Sequence, residues 1–487
     1  MKCNGFMFKL ALAFLLIVFS GVDLVYAQKM VTIPEEAYKA ILERLDALQK
    51  RVDKLEKEKA DAASMKKNLD DIYDTLDQVE TKTIRDRINF GAEVRTRVDN
   101  FYFRGVYFNP FTGRFEKYIK DHKDNHWTSR FRLNLDAKIT NGLFFHGRLS
   151  VMKNWSDNDP QAFYTDFNRG HGAGESTDVQ FERAYIDWIV PNSPIPLAIT
   201  FGRHPSTEGP PVEFKENRLR QSTYPALLFD GETDGIVATI GLERYLGLRN
   251  SGLRFAYGKG FQDDDDLNNF LDTRSGLDDT NFMAVFFESE IPQLPRSLMV
   301  FSYIRGFDLV DNPLGPQENV GDMDLWGIHF QAQDVMNSGL DAFFSWGLNK
   351  SHAGGITFEN SPMGPVQVGL LTDDGRDNKT GWAIYAGLRY TMQIKRLNNP
   401  KIGFEYNHGS QYWFTFTQSS IEFYNKLATR GDVYDVYYIQ PVNRYLFMRL
   451  GYTYIDYDYS RSGIHLGKPE HSDDILTDFY FLLDCRF

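Results

Sequence analysis

Residues 127–155 read WTSRFRLNLDAKITNGLFFHGRLSVMKNW, and the stretch repeats with a period of two. Trp127, Ser129, Phe131, Leu133, Leu135, Ala137 and Ile139 fall on one side, while Arg130, Arg132, Asn134, Asp136 and Lys138 fall on the other. Side chains of an extended strand alternate between faces, so this is a strand with one apolar and one charged face. Asn141-Gly142 then has the composition of a tight turn. Beyond it Leu143, Phe145, Gly147, Leu149 and Val151 resume the apolar face against His146 and Arg148. The segment predicts a hairpin of unusually long strands.

Outward from this hairpin the pattern recurs, from INFGAEVRTRV at residue 88, through AYIDWIV with LAITFGR and DGIVATI with GLRFAYGKGF, to VYDVYYIQ with YLFMRLGYTYIDY and the terminal TDFYFLLDCRF. The count is about 16 strands, an even number within the range of bacterial barrels. The connections alternate in length. TNG, PNSPIP, LERYLGLRNS, IPQLPR, DVMNSG, MQIKRLNN and PVNR are short. The others, near residues 100–125, 154–178, 204–233, 262–280, 308–321, 349–379, 408–432 and 457–475, are long, polar and rich in Asp and Gly. Short turns on one rim and long loops on the other are how transmembrane barrels are built.

A soluble β-sandwich also alternates, but its strands average five or six residues and its edges need protection. Burying more than a dozen faces as charged as Arg130, Arg132, Asn134, Asp136 in a dry core would cost several kcal/mol per unpaired ion. The expectation is therefore an all-β, 16-stranded antiparallel transmembrane barrel over residues 88–487, with lipid outside and a water-filled lumen. Aromatics make up 15% of the chain, a composition suited to strands and to interfacial belts.

The N-terminal part obeys other periods. Two lysines, the apolar run LALAFLLIVF and VYA before Gln28 predict a signal peptide over residues 1–27, since the run is too short to span a bilayer as a helix. In residues 34–80, Tyr38, Ile41, Leu45, Leu48, Val52 and Leu55 are spaced 3, 4, 3, 4, 3. That is a coiled-coil seam, and it predicts self-association, most simply as a homotrimer, in the periplasm. The net charge of −12 disfavours nucleic-acid partners. Cys3 leaves with the leader, so Cys485 has no cysteine to pair with in the chain and should be an apolar residue of the barrel wall.

The end of the chain resembles the signature by which outer-membrane barrels are recognised for assembly in Gram-negative bacteria, through Phe479, Phe481, Leu483 and Phe487. The coiled coil, RFRLNLDAKIT, ERAYIDW and FGRHPSTEGPPVEFKENRLRQSTYPALLFDGETDGI are similar to a family of porin-like outer-membrane proteins of unknown function from anaerobic proteobacteria. The resemblance implies outer-membrane lipid as surroundings and small hydrophilic solutes as cargo. The layout also resembles trimeric general porins, in which the third long loop folds into the barrel and sets acidic residues against an arginine wall.

On the alternation, Arg95, Arg97, Arg130, Arg132 and Arg148 point inward on three neighbouring strands and form a basic wall. Arg stays charged and offers a planar fork to carboxylate or phosphate. In the third long loop, Glu208, Glu213 and Glu216 are placed to oppose that wall, and Arg203, Arg218 and Arg220 would add positive charge. The expected function is passive diffusion of small hydrophilic solutes, with a local preference for anions. Two rival functions are a barrel tethered to the cell wall through its coiled coil and a sheath around an electron-transfer conduit.

Other strings carry little. DDDD at 263–266 and DDGRDN at 373–378 lack calcium-loop spacing and read as solvated loops. HGAGES at 171–176 precedes a strand, so it is no phosphate cradle. No G-x-S-x-G or H-E-x-x-H is present, and neither catalysis, a cofactor nor a metal is expected. YWFTFT at 412–417 fits either an extracellular hairpin or the lipid interface.

Overall fold

The computed structural model describes residues 39, 43–47, 50, 87–109, 114–155, 179–260, 262, 277–311, 318–358, 366–418, 421–459 and 466–487. They fall in two units, Met1–Thr81 and Lys82–Phe487. In the first, residues 39, 43–47 and 50 are helical. Lys50 pairs with Asp46 one turn back at 2.9 Å, and Leu45 is exposed. Ile41, Leu48, Val52, Leu55 and the leader over 1–27 lie outside the described residues.

The second unit is a closed barrel of sixteen strands. In chain order the first eight are β1 (Ile88–Asn109), β2 (Arg114–Thr140), β3 (Leu143–Asn154), β4 (Val179–Ile189), β5 (Leu197–His204), β6 (Thr233–Gly241), β7 (Gly252–Lys259) and β8 (Asn281–Ser289). The second eight are β9 (Ser297–Asp311), β10 (Glu318–Ala332), β11 (Leu340–Ala353), β12 (Thr380–Thr391), β13 (Lys401–Gly409), β14 (Gly431–Pro441), β15 (Leu446–Tyr459) and β16 (His471–Arg486). Each pairs antiparallel with its sequence neighbours.

β1 closes the barrel against β16, from Glu93 opposite Arg486 to Arg104 opposite Ile475. Phe487 extends the seam, its N–H donating to Ala92 O at 2.9 Å and its carbonyl accepting from Ala92 N–H at 2.7 Å. The barrel itself has no unpaired edge, which hydrocarbon would not tolerate. On β16, Phe479, Phe481 and Leu483 are exposed while Asp478, Tyr480, Leu482 and Asp484 are buried. The apolar set ending at Phe487 therefore faces outward, with free Cys485 on the same side.

Three sequence expectations change in the barrel. The stretch near 100–125 is not a long loop: β1 and β2 stay paired from Ile88 opposite Ala137 to Asn109 opposite Arg114. FYFRGVYF within it is aromatic and β-prone, so extended pairing wins over loop structure.

The lumen is also not simply water-filled. Phe286, Val300, Ile304, Met323, Leu325, Phe343 and Tyr385 on the inner face of β8 to β12 are buried against Phe214, Leu227, Leu228, Trp413 and Phe414. The latter five come from the segments between β5 and β6 and between β13 and β14, which fold inward. Gly327 and Gly347 on the wall make room for them: a Cβ there would lie 2.4 Å from Leu228 and 2.6 Å from Trp413. YWFTFT thus sits neither outside nor at lipid. Trp413 and Phe414 are in the core, and Phe416–Thr417 pairs in parallel with Phe229–Asp230. Trp413 is fully buried and donates from Nε1 to Leu427 O at 2.9 Å. Trp413→Ala is expected to lower stability by about 3–5 kcal/mol through the cavity it leaves, measured by denaturant unfolding in detergent.

Candidate functional site

The other half of the interior, from β13 through the seam to β4, is charged. Its cross-strand register sets Arg95 opposite Arg130 and Arg148 opposite Arg183. Like charges directly opposed destabilise a sheet unless countered. Arg183 reaches the inner face through a register shift on β4, which turns the consecutive residues Glu182 and Arg183 both inward.

The segment 205–232 carries the counter-charges across the lumen. Glu216 receives Arg95, Arg449 Nη1 at 3.0 Å and Arg486 Nη2 at 3.1 Å. Burial opposes ionisation of Glu216, but Arg95, Arg449 and Arg486 outweigh it and hold its carboxyl well below the usual range. Arg95 also donates to Asp484 at 2.6 Å. Glu208 pairs with Arg132 at 2.6 Å and with Arg218, and Arg132 donates to Glu182 at 2.9 Å. Lys215 joins Glu422 and Asp435, each at 2.5 Å, and Lys426 joins Glu405 and Asp435, each at 2.6 Å. Arg97 is ringed by Asp99, Glu422 and Asp478 at 2.6–2.9 Å.

Arg95, Arg97, Arg130, Arg132 and Arg148 are all buried on the inner face. They are not a bare basic wall, because carboxylates interleave with them. Glu208 and Glu216 meet arginines, whereas Glu213 points to the apolar side and accepts from Gln331 Nε2 at 2.6 Å. Burial raises its pKa, partly offset by that hydrogen bond. Arg218 joins the cluster through Glu93 at 3.2 Å. Arg220 lies elsewhere, paired with Glu288 on β8 at 3.0 Å. Arg203 departs from its expected place. It shares the outward face of β5 with exposed Phe201 and binds Asp234 at 2.8 Å and Glu232 at 3.1 Å. The alternation itself carries the reason: His204, its neighbour, is the residue that turns inward and is buried.

Sequence reading passed over Arg183, Glu93, Glu182 and Arg449, and it did not place the 410–430 segment inside the barrel. The aromatic density of YWFTF between polar flanks was the available signal, since such a run is out of character for a solvated loop.

Residues 120–481 match the family described as "Protein of unknown function (DUF3373)". The chain belongs to that family. No curated protein matches it. Among solved structures it is similar to OprB of Pseudomonas putida at high pH, with 13% identity over 84% of this chain and 96% of that one and a TM-score of 0.49. It is also similar to in-vitro folded OmpT of Vibrio cholerae (11%, 82% and 97%, TM-score 0.41) and to Salmonella typhi OmpF in complex with daunomycin (8%, 81% and 97%, TM-score 0.42).

Proposed function

We propose that this family member is an outer-membrane channel of porin type, passing small hydrophilic solutes through the charged half of its lumen. The observation that carries the reading is the sidedness of the wall. Phe131, Ile186, Phe201, Phe255, Phe301, Leu388, Phe404 and Leu450 are exposed on the outside while charge is turned in. A closed barrel dressed in this way suits hydrocarbon outside and polar cargo inside. No helix among the described residues is long and apolar enough to cross a membrane, so crossing would be by strands.

The interior charge is also separated. Arg95, Arg130, Arg132, Arg148, Arg183, Arg218, Arg449 and Arg486 outnumber Glu93, Glu182, Glu208, Glu216 and Asp484. A second group, Asp99, Glu405, Glu422, Asp435 and Asp478, outnumbers Arg97, Lys215 and Lys426, and it adjoins the first along β1 and β16. Such an arrangement divides the interior into an arginine-rich and a carboxylate-rich zone and supports a preference for anions at the arginines. The interior is filled by the chain's own loops, which disfavours a sheath around an electron carrier. Homotrimer formation through the seam at Leu45, and cell-wall contact by the same helix, extend this proposal.

Planar-bilayer recording of the purified protein in KCl tests it. Stepwise conductance is expected, and its absence would sink the reading. Arg130→Ser with Arg132→Ser should move the reversal potential in a salt gradient toward cation selectivity. Arg203→Ser, on the outer face, should leave it in place.

A further inference from the structure

We infer that Arg148 and Arg183 form a binding site for a small oxyanion, a carboxylate, sulfate or phosphate, with Gln221 at its mouth. This rests on the reading of the charged half as the solute path. The two arginines lie directly opposite each other on β3 and β4. Between them stands a neutral acceptor: Gln221 Oε1 takes a hydrogen bond from Arg148 Nη2 at 3.2 Å and from Arg183 Nη1 at 3.4 Å. An amide oxygen occupies the position where two guanidinium groups call for an anion.

The surroundings do not supply the missing charge. Arg130, Arg132, Arg148, Arg183 and Arg218 converge on three carboxylates, Glu93, Glu182 and Glu208. Glu208 and Glu182 are taken at short range by Arg132. Arg148 reaches Glu93, Glu182 and Glu208 only at 3.6–3.7 Å. Arg183 makes no ion pair among the described residues. Its remaining hydrogen bond goes to Thr207 O at 3.4 Å.

Arg148 Nη1 and Arg183 Nε are buried donors with no hydrogen-bond acceptor among the described residues, on side chains at least nine-tenths buried. An uncompensated guanidinium out of water costs several kcal/mol, so a bound oxyanion completes the cluster. Entry lies on the side of Gln221, which is only half-buried and two residues from Leu219, 86% exposed.

The test is calorimetric titration of the full-length protein in detergent with sodium sulfate, sodium phosphate and sodium acetate, against sodium chloride at equal ionic strength. Saturable heat with at least one of the three oxyanions, exceeding that with chloride, is expected. Gln221→Glu places a carboxylate between the two arginines and should weaken binding at least about tenfold. Because it adds a counter-charge rather than removing one, the barrel should stay intact, as far-UV circular dichroism will show. Arg183→Gln should weaken binding to a similar degree, and Arg203→Gln should not change it. No saturable binding to any of the three anions, or undiminished binding by Gln221→Glu, overturns the site. Conductance recorded on the same preparation separates the two readings. Binding without conductance keeps the site and overturns the channel, whereas conductance without binding does the reverse.

Discussion

Replacing residues 211–225 with a short Gly-Ser linker is expected to raise single-channel conductance severalfold. The segment crosses the bore rather than lining it. Its Glu213 meets Gln331 on β10, Phe214 O accepts from Arg389 on β12 at 2.6 Å, and Lys215 reaches Asp435 on β14. Glu216 meets arginines of β1, β15 and β16, and Arg220 meets Glu288 on β8. A single stretch of chain thus ties several separate strands together through the lumen.

The two ends of the segment are already adjacent, since Ala226 N–H donates to Pro210 O at 2.9 Å, so the linker need not stretch the barrel. Removing it withdraws Glu213 and Glu216 together with Lys215, Arg218 and Arg220, while Arg95, Arg449 and Arg486 stay on the wall. Conductance is the readout, because the loss of Glu216 bares Arg95, Arg449 and Arg486 while the loss of Lys215 bares Glu422 and Asp435, and the two act on selectivity in opposite directions. Unchanged conductance would mean that solutes do not pass where this segment lies.

Glu216→Gln is expected to cost about 3–5 kcal/mol of unfolding free energy, as much as Trp413→Ala. The glutamate is fully buried and shared by three guanidinium groups. Arg95 and Arg486 keep Asp484 after the change, but among the described residues Arg449 retains the carbonyl of Lys215 and the Tyr480 ring and no carboxylate within ion-pair distance. The amide has the same shape, so the cost is electrostatic rather than steric.

Denaturant midpoints in detergent measure the loss. Trypsin reports where it falls, because a released segment presents Lys215, Arg218 and Arg220 for cleavage. Acid should not imitate the variant near neutrality. A carboxyl held below its ordinary value contributes its full stability above that value, near 4.5, and loses it only as pH falls toward the depressed one. Between pH 5 and 8 the wild-type midpoint should show no loss from Glu216, and a segment that releases at pH 5 would contradict the pairing.

Much of this architecture is legible one residue at a time. WTSRFRLNLDAKITNGLFFHGRLSVMKNW states its own two faces, and the alternation of short and long connections states which ends of the strands share a rim. The inward placement of Arg95, Arg130, Arg132 and Arg148 follows from the same parity. Where parity was set aside in favour of loop charge, as for Arg203, the expectation failed. Where a register shift breaks parity, as at Glu182 and Arg183, the sequence offered no local sign of it.

What the sequence by itself determined is the barrel: strand period, strand number, sidedness and the closing strand that ends at Phe487. Those properties are local, because each strand's alternation is set by its own backbone geometry and each turn by its own residues. The partners were decided only by tertiary structure. Arg95 meets Glu216 across 121 residues and Asp484 across 389, and the 410–430 segment meets the 205–232 segment inside the wall. A period of two says that a side chain points inward but not what it will find there. The path of an inward loop is selected by the whole enclosed volume at once, through apolar area removed from water on one side and charges neutralised on the other.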